Sequence, residues 1–193
     1  MQKKVRHQNL VSNNNGSVII EFSFIVFIMI IFMKILMSIS EYYSTIGKLD
    51  RISYSLAGIV RERTLLYSNN SELTKLQVNQ LKKVAENMLL HSGLSKYSLS
   101  IKVEKIHFNT TQSSSTENKI IDNMKSLSFN IGSCEPDKLL RELTQLSSFS
   151  NAGRWIPLYQ VTLCLPVDTW YSQLFSQGWN ANYIKSSSIT IER

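Results

Sequence analysis

Between Phe22 and Met33 the chain runs for twelve residues without a charge, FSFIVFIMIIFM, and the residue just before that run is an acid, Glu21. No other feature limits the fold so strongly. Twelve apolar residues fall short of the roughly 20 that a spanning helix needs, but both flanks extend the run. Residues 17–20 lengthen it on one side. On the other, Lys34 can send its ammonium toward the outer interface along its aliphatic stem, so that residues 35–39 continue the apolar surface. A helix over residues 17–40 would be about 36 Å long, enough to cross a hydrocarbon core of about 30 Å. A carboxylate in such a segment costs up to about 2.5–3.5 kcal/mol at the helix centre and less near an end. Glu21 therefore calls for a partner.

The distribution of charge gives the segment a direction. The 193-residue chain has a formal net charge of +7, but Lys3, Lys4 and Arg6 supply three of those charges and leave +4 for the rest. Basic residues beside a membrane segment tend to stay cytoplasmic, which points the bulk of the chain outward. Elsewhere Lys and Arg are dispersed and no RNA- or DNA-binding signature accompanies them, which argues against nucleic acid as a partner. The length allows one modest domain with accessory segments. Four parts are expected: a polar, basic leader over residues 1–16, a membrane helix over 17–40, an amphipathic extension of that helix over 41–67, and an exported domain over 68–193.

Periodicity sketches the exported part. Leu49, Ile52, Leu56 and Ile59 recur at spacings of three and four, with Lys48, Asp50, Arg51, Arg61 and Glu62 on other faces, as an amphipathic helix requires. The helix is expected to end near Tyr67, where SNNS at 68–71 breaks it. A second helix is predicted over about residues 72–91, with Leu81, Val84, Ala85 and Met88 on one side and Gly93 closing it. Tyr97, Leu99, Ile101 and Val103 alternate as a strand, and the phase then slips to Ile106 and Phe108, which predicts a bulge near Glu104 and Lys105. A polar loop, NTTQSSSTENK, follows at 109–119.

Leu127, Phe129 and Ile131 read as a second strand ahead of Cys134. Pro136 suits the first turn of a helix carrying Leu139, Leu143 and Leu146 on one face. Val161, Leu163 and Leu165 alternate as a third strand with Cys164 on its opposite face, and residues 183–192 form the last, with Ile189 and Ile191 in phase. The sum is an α+β chain: a long N-terminal transmembrane helix extended outside the membrane, and a small antiparallel sheet with helices in the exported domain. Trp155, Trp170 and Trp179 read as core or interface anchors.

The two cysteines, Cys134 and Cys164, both follow the apolar segment, so an oxidising compartment makes a single disulfide the leading reading and two buried thiols the alternative. Their spacing fits no zinc pattern, and His7, His91 and His107 are isolated. There is no GxSxG, no phosphate-binding GxxxxGKS and no HExxH. Asp122, Asp137 and Asp168 suit loops or helix starts. No enzyme, cofactor, metal or small-molecule substrate is expected. Two Asn sequons, at Asn69 and Asn109, are short matches in Asn-rich sequence.

Three readings fit the N-terminal segment. A secretory signal could be cut after Ser38-Ile39-Ser40. A plain uncleaved anchor leaves Glu21 unexplained. The third starts from GSVIIEF, residues 16–22: a Gly after a basic polar leader, four mostly apolar residues, Glu, then Phe. This pattern resembles the class III signal of type IV pilins and pseudopilins. The resemblance implies cleavage by a prepilin peptidase between Gly16 and Ser17, making Glu21 the fifth residue of the mature chain. It also implies that Glu21 meets the α-amino group of a neighbouring subunit.

GxxxxEF with Phe22, the apolar helix, the pair Tyr42-Tyr43 and RISYSLAGIVRERTLLY at 51–67 together resemble the TadE/TadF pseudopilins of tight-adherence (Flp) pilus systems, TadF more than TadE. Major Flp pilins have almost nothing after the helix, whereas this chain has about 150 residues there. Lys34 departs from the usual uninterrupted apolar run. The family implies a single-pass protein of the bacterial inner membrane with its C-terminal domain in the periplasm. It also implies a role in pilus assembly, with prepilin peptidase, TadE-like subunits, Flp pilin and the Tad secretion machinery as partners. An envelope binding domain that never enters a filament is the alternative.

Overall fold

The structure, a computed structural model, describes residues 14–62, 73–94, 98–111, 113–166 and 183–192. Residues 1–13 of the leader, residues 63–67 of the extension, the SNNS break, Tyr97, Asp168, Trp170 and Trp179 lie outside them. The chain divides into two compact units, Met1–Tyr42 and Tyr43–Arg193. Helix α1, Asn14–Arg61, begins in the first and ends in the second.

The second unit is α+β. Helix α2 covers Lys75–His91. Strands β1 (Ser100–Phe108), β2 (Ile121–Ile131), β5 (Leu158–Pro166) and β6 (Tyr183–Ile191) form one antiparallel sheet in the order β2-β1-β5-β6. A two-residue hairpin, β3 (Phe149–Ser150) with β4 (Arg154–Trp155), stands apart from it.

Both faces of the sheet are buried, by different partners. Directly opposed residues of an antiparallel pair share a face. Ile101 and Val103 of β1 oppose Leu163 and Val161 of β5, and Ile131 and Phe129 of β2. Onto that face pack Leu49, Ile52, Leu56 and Val60 of α1 and Val78, Leu81, Ala85 and Leu89 of α2. The other face carries Ile106, Phe108 and Leu158, which close a smaller core with Leu140 and Trp155. Phe149 meets the Trp155 ring edge-on, with centroids 5.3 Å apart.

This two-sidedness corrects the bulge expected near Glu104 and Lys105. From Ser100 to Ile106, β1 pairs with β5 residue for residue, so the change of phase is a change of face. Ile101 and Val103 belong to one core, Ile106 and Phe108 to the other. The irregularity lies in the partner strand. Between the pairs Lys105↔Leu127 and His107↔Asp122, β2 advances five residues while β1 advances two. Asp122 organises the excess, its Oδ1 accepting the N–H groups of Met124 (3.0 Å) and Lys125 (3.3 Å). Ser126 Oγ accepts the N–H of His107 at 3.1 Å.

Three further expectations change. Helix α2 starts at Lys75, not near residue 72, because Thr74 caps it. Thr74 Oγ1 accepts the Gln77 N–H at 3.3 Å and Gln77 Oε1 accepts the Thr74 N–H at 3.1 Å, a reciprocal capping box. Its buried stripe is Val78, Leu81, Ala85 and Leu89, while Val84 and Met88 are exposed. The helix expected after Pro136 is instead a 3-10 helix, Leu140–Leu146, kinked at Leu143; Leu140 is buried, whereas Leu139 and Leu146 are exposed.

A tether explains that last difference. Cys134 is disulfide-bonded to Cys164 on β5, with Cα atoms 5.4 Å apart. Gln160 Nε2 donates to the Lys138 carbonyl at 3.2 Å, and Lys185 pairs with Asp137 at 3.3 Å. Held across the sheet at these points, the segment stays open until Leu140. Gly132, at φ +91°, makes the turn out of β2 that starts it.

Candidate assembly helix

The N-terminal unit presents one chemical surface. Every large apolar residue from Val18 to Ile39 is exposed, the least so being Val26 at 39%. Helix α1 is long and apolar enough to cross a membrane, and none of its most apolar stretch is buried. Left in water, so much apolar surface would be strongly unfavourable. Lipid, or other apolar helices, supplies the missing environment.

Into this surface the sequence sets two charges. Glu21 and Lys34 are both exposed members of α1. Thirteen residues separate them, about 20 Å along the axis and on nearly opposite sides of the helix, so they cannot satisfy one another within one chain. Gly16 and Ser17 lie in the first turns of α1. Ser17 is four residues, about 6 Å of rise, before Glu21. Phe22 and Tyr43 are exposed at 67% each and Tyr42 at 38%. The helix thus places the residues of the GSVIIEF pattern within two turns of each other and the tyrosine pair about six turns away.

Within the second unit the same helix is firmly docked. Ser53 is fully buried; its hydroxyl lies 2.7 Å from Ser186 Oγ and 2.9 Å from Ser188 Oγ on β6 and donates to the Asp50 carbonyl at 3.0 Å. Lys48 Nζ donates to the Ser92 carbonyl, 2.9 Å away, at the end of α2. Sequence reasoning missed Ser53, since a serine among Ile52, Tyr54 and Leu56 looks like an interruption of the apolar face. The run of serines at 186–188 was the available signal.

Also missed was a buried polar layer on the second sheet face. Lys102 is 7% exposed and Gln160 2%. Lys102 Nζ donates to Glu135 Oε2 at 2.5 Å and stands 3.8 Å from Glu104 Oε1. Burial raises the Glu104 carboxyl above the usual carboxylate range; Lys102 opposes this and Glu135 adds to it. Lys119 donates to the carbonyls of Thr144 and Ser147 and rides 4.2 Å above the Trp155 ring; burial lowers its ammonium from the ordinary lysine value. These groups hold loops to the sheet. Among the described residues no cluster of three or more His, Cys, Asp or Glu could hold a metal ion.

An exposed apolar N-terminal helix entered by an acid, followed by a disulfide-tied α+β unit, defines a membrane-anchored, pilin-like protein. The family profile described as "Putative tight adherence pilin protein F", TadF, matches residues 9–193. The chain belongs to the TadF family, as its resemblance to that group implied. No curated protein and no solved structure matches it.

Proposed function

We propose that this protein is a minor pilin or pseudopilin needed to assemble a Flp-type adhesive pilus, and that it acts by assembly and not by turnover. The observation that carries this reading is the conjunction, in a TadF chain, of an unburied apolar helix with a single acid at its entry. In this reading residues 1–16 are a cytoplasmic leader removed by a prepilin peptidase between Gly16 and Ser17. Residues 17–40 cross the inner membrane, and the domain that follows stands in the periplasm.

Cleavage would create an α-amino group on Ser17. A charge in an apolar medium is tolerated best when paired with its opposite and hydrogen-bonded. Glu21 of one subunit would therefore accept the amine of a neighbour, and that pairing would set the stagger between adjacent helices. Small uncharged residues are few along the helix, so packing against TadE-like subunits and Flp pilin would come chiefly from its large aliphatic and aromatic side chains. The exported domain would supply specific contacts during initiation or stabilisation of the fibre.

Crosslinking in intact cells followed by purification from membranes tests the assignment. Recovery of pilin-like subunits and components of the Tad machinery supports it. Recovery of envelope proteins unrelated to pili would favour an anchored binding domain outside any filament.

A further inference from the structure

Within the second unit helix α1 repeats itself. YSTIG at 43–47 recurs as YSLAG at 54–58, an interval of about three turns. One face of the repeat is docked, with Leu49, Ile52, Leu56 and Val60 in the sheet core. The outer face is open. Tyr43 is 67% exposed and Tyr54 76%, while Gly47 and Gly58 have nothing within 4 Å of where a Cβ would stand. At about 100° per residue these four positions fall within about 60° of one another around the helix. They form one stripe of ring, gap, ring and gap. Each glycine weakens the helix relative to alanine, and nothing among the described residues approaches closely enough to need the room it leaves.

Opposite charges border the stripe. Asp50 and Arg51 are both exposed; the first falls about 20° beyond Tyr43 on one side and the second about 20° beyond Gly58 on the other. A second copy that runs parallel and presents the same stripe sets its left border against the right border of the first, so that Arg51 of each helix lies along the edge held by Asp50 of the other. An antiparallel copy would oppose Arg51 to Arg51 and Asp50 to Asp50. The spacing selects a register as well, because Tyr43 and Gly47, like Tyr54 and Gly58, are four residues or about 6 Å apart along the axis. A parallel copy shifted by that amount brings both of its rings level with both gaps of the first. The two Arg51–Asp50 pairs are then offset by about 5 and about 8 Å along the axis, within the combined reach of the two side chains.

We propose that residues 43–58 of α1 are a self-docking stripe. A second copy of this chain packs parallel against it, displaced by four residues, with Tyr43 and Tyr54 of one copy seated over Gly47 and Gly58 of the other and Arg51–Asp50 pairs at both edges. Close approach over the glycines takes the tyrosine rings out of water, and such rings contribute heavily to interfaces. The charges set direction and register more than strength. This contact goes beyond the assembly reading above, since it uses neither Glu21 nor a cleaved N-terminus.

Two differently tagged copies of the full chain, co-expressed and recovered from native membranes in mild detergent, measure the contact by co-purification. Wild-type copies should associate. Gly47→Ala together with Gly58→Ala in both copies should raise the midpoint of urea unfolding, because the helix gains propensity, and should lower association several-fold, because the gaps are filled. Arg51→Asp in both copies should also lower association. Pairing an Arg51→Asp copy with an Asp50→Arg copy should restore it, since opposite charges then meet at both edges. A photo-crosslinking residue in place of Ser55, beside the stripe, should capture a second copy. Wild-type copies that do not co-purify, association unchanged by the two alanines, or a mixed pair no better than Arg51→Asp alone would overturn the proposal. Capture of other proteins only at position 55 would overturn it too.

Discussion

Ser53 on helix α1 and Ser186 on strand β6, 133 residues apart, hydrogen-bond through their hydroxyls at 2.7 Å beneath the sheet. Ser188 completes the group at 2.9 Å, and Ser53 spends its own proton on the Asp50 carbonyl. One donor and two lone pairs are thus all used. The contact ties the last four turns of the pilin-like helix to the farthest strand of the sheet.

Ser53→Ala leaves the buried Ser186 hydroxyl short of a partner and should destabilise the exported unit by about 1–3 kcal/mol. Chemical unfolding of the full chain measures it. Combined with Ser186→Ala the loss should be less than the sum, because the second change removes the stranded group.

The disulfide closes a loop with a sequence separation of 30. Replacing Cys134 and Cys164 together by Ser should cost roughly 3–4 kcal/mol in the chain-entropy picture. In the native exported protein neither thiol should react with a maleimide before reduction. Labelling at both sites without a reductant would contradict the bridge.

Gly132 combines a φ of +91° with a crowded position, where an added Cβ would stand 2.3 Å from Ser100 Oγ and 2.9 Å from Ser100 Cβ. Gly132→Ala should destabilise the fold by about 1–3 kcal/mol from backbone strain alone. Adding Ser100→Gly should relieve the clash and leave the strain. Thermal unfolding of the single and double variants separates the two contributions.

How much of this was readable in the sequence depended on whether a side chain's role is local. The apolar run, Glu21, the spacing of Leu49, Ile52 and Leu56, and the alternation of Val161, Leu163 and Leu165 are local patterns, and they led to the right elements. Gly93 at φ +83° closes α2 as its position suggested. Ile106 and Phe108 misled, because a strand buried on both faces loses its period and the break imitates a bulge. Leu139 and Leu146 misled because a covalent tether at Cys134 and a hydrogen bond at Lys138 kept the chain from winding after Pro136. Glu104 gave no signal at all, since its burial depends on a segment some thirty residues away folding over it. At the assembly helix, sequence alone supplied the chemistry; the structure adds that none of the described residues covers the apolar surface.

Glu21→Gln keeps the shape of the side chain and removes its charge. Processing should continue, while assembly should fail, because a buried amine without its counter-ion costs about 3–5 kcal/mol, more than a hundredfold in association. Normal piliation in that variant would remove the proposed pairing. Glu21→Asp, which keeps the charge on a shorter stem, should retain part of the function.

The most direct test of the account is the intact mass of the mature protein purified from its native membrane, from wild-type cells and from cells lacking prepilin peptidase. A chain beginning at Ser17 in the first and at Met1 in the second is the expected result, with Gly16→Ala slowing the conversion in wild-type cells. A chain that still begins at Met1 in wild-type cells, or at Glu41 as a secreted product, would contradict it.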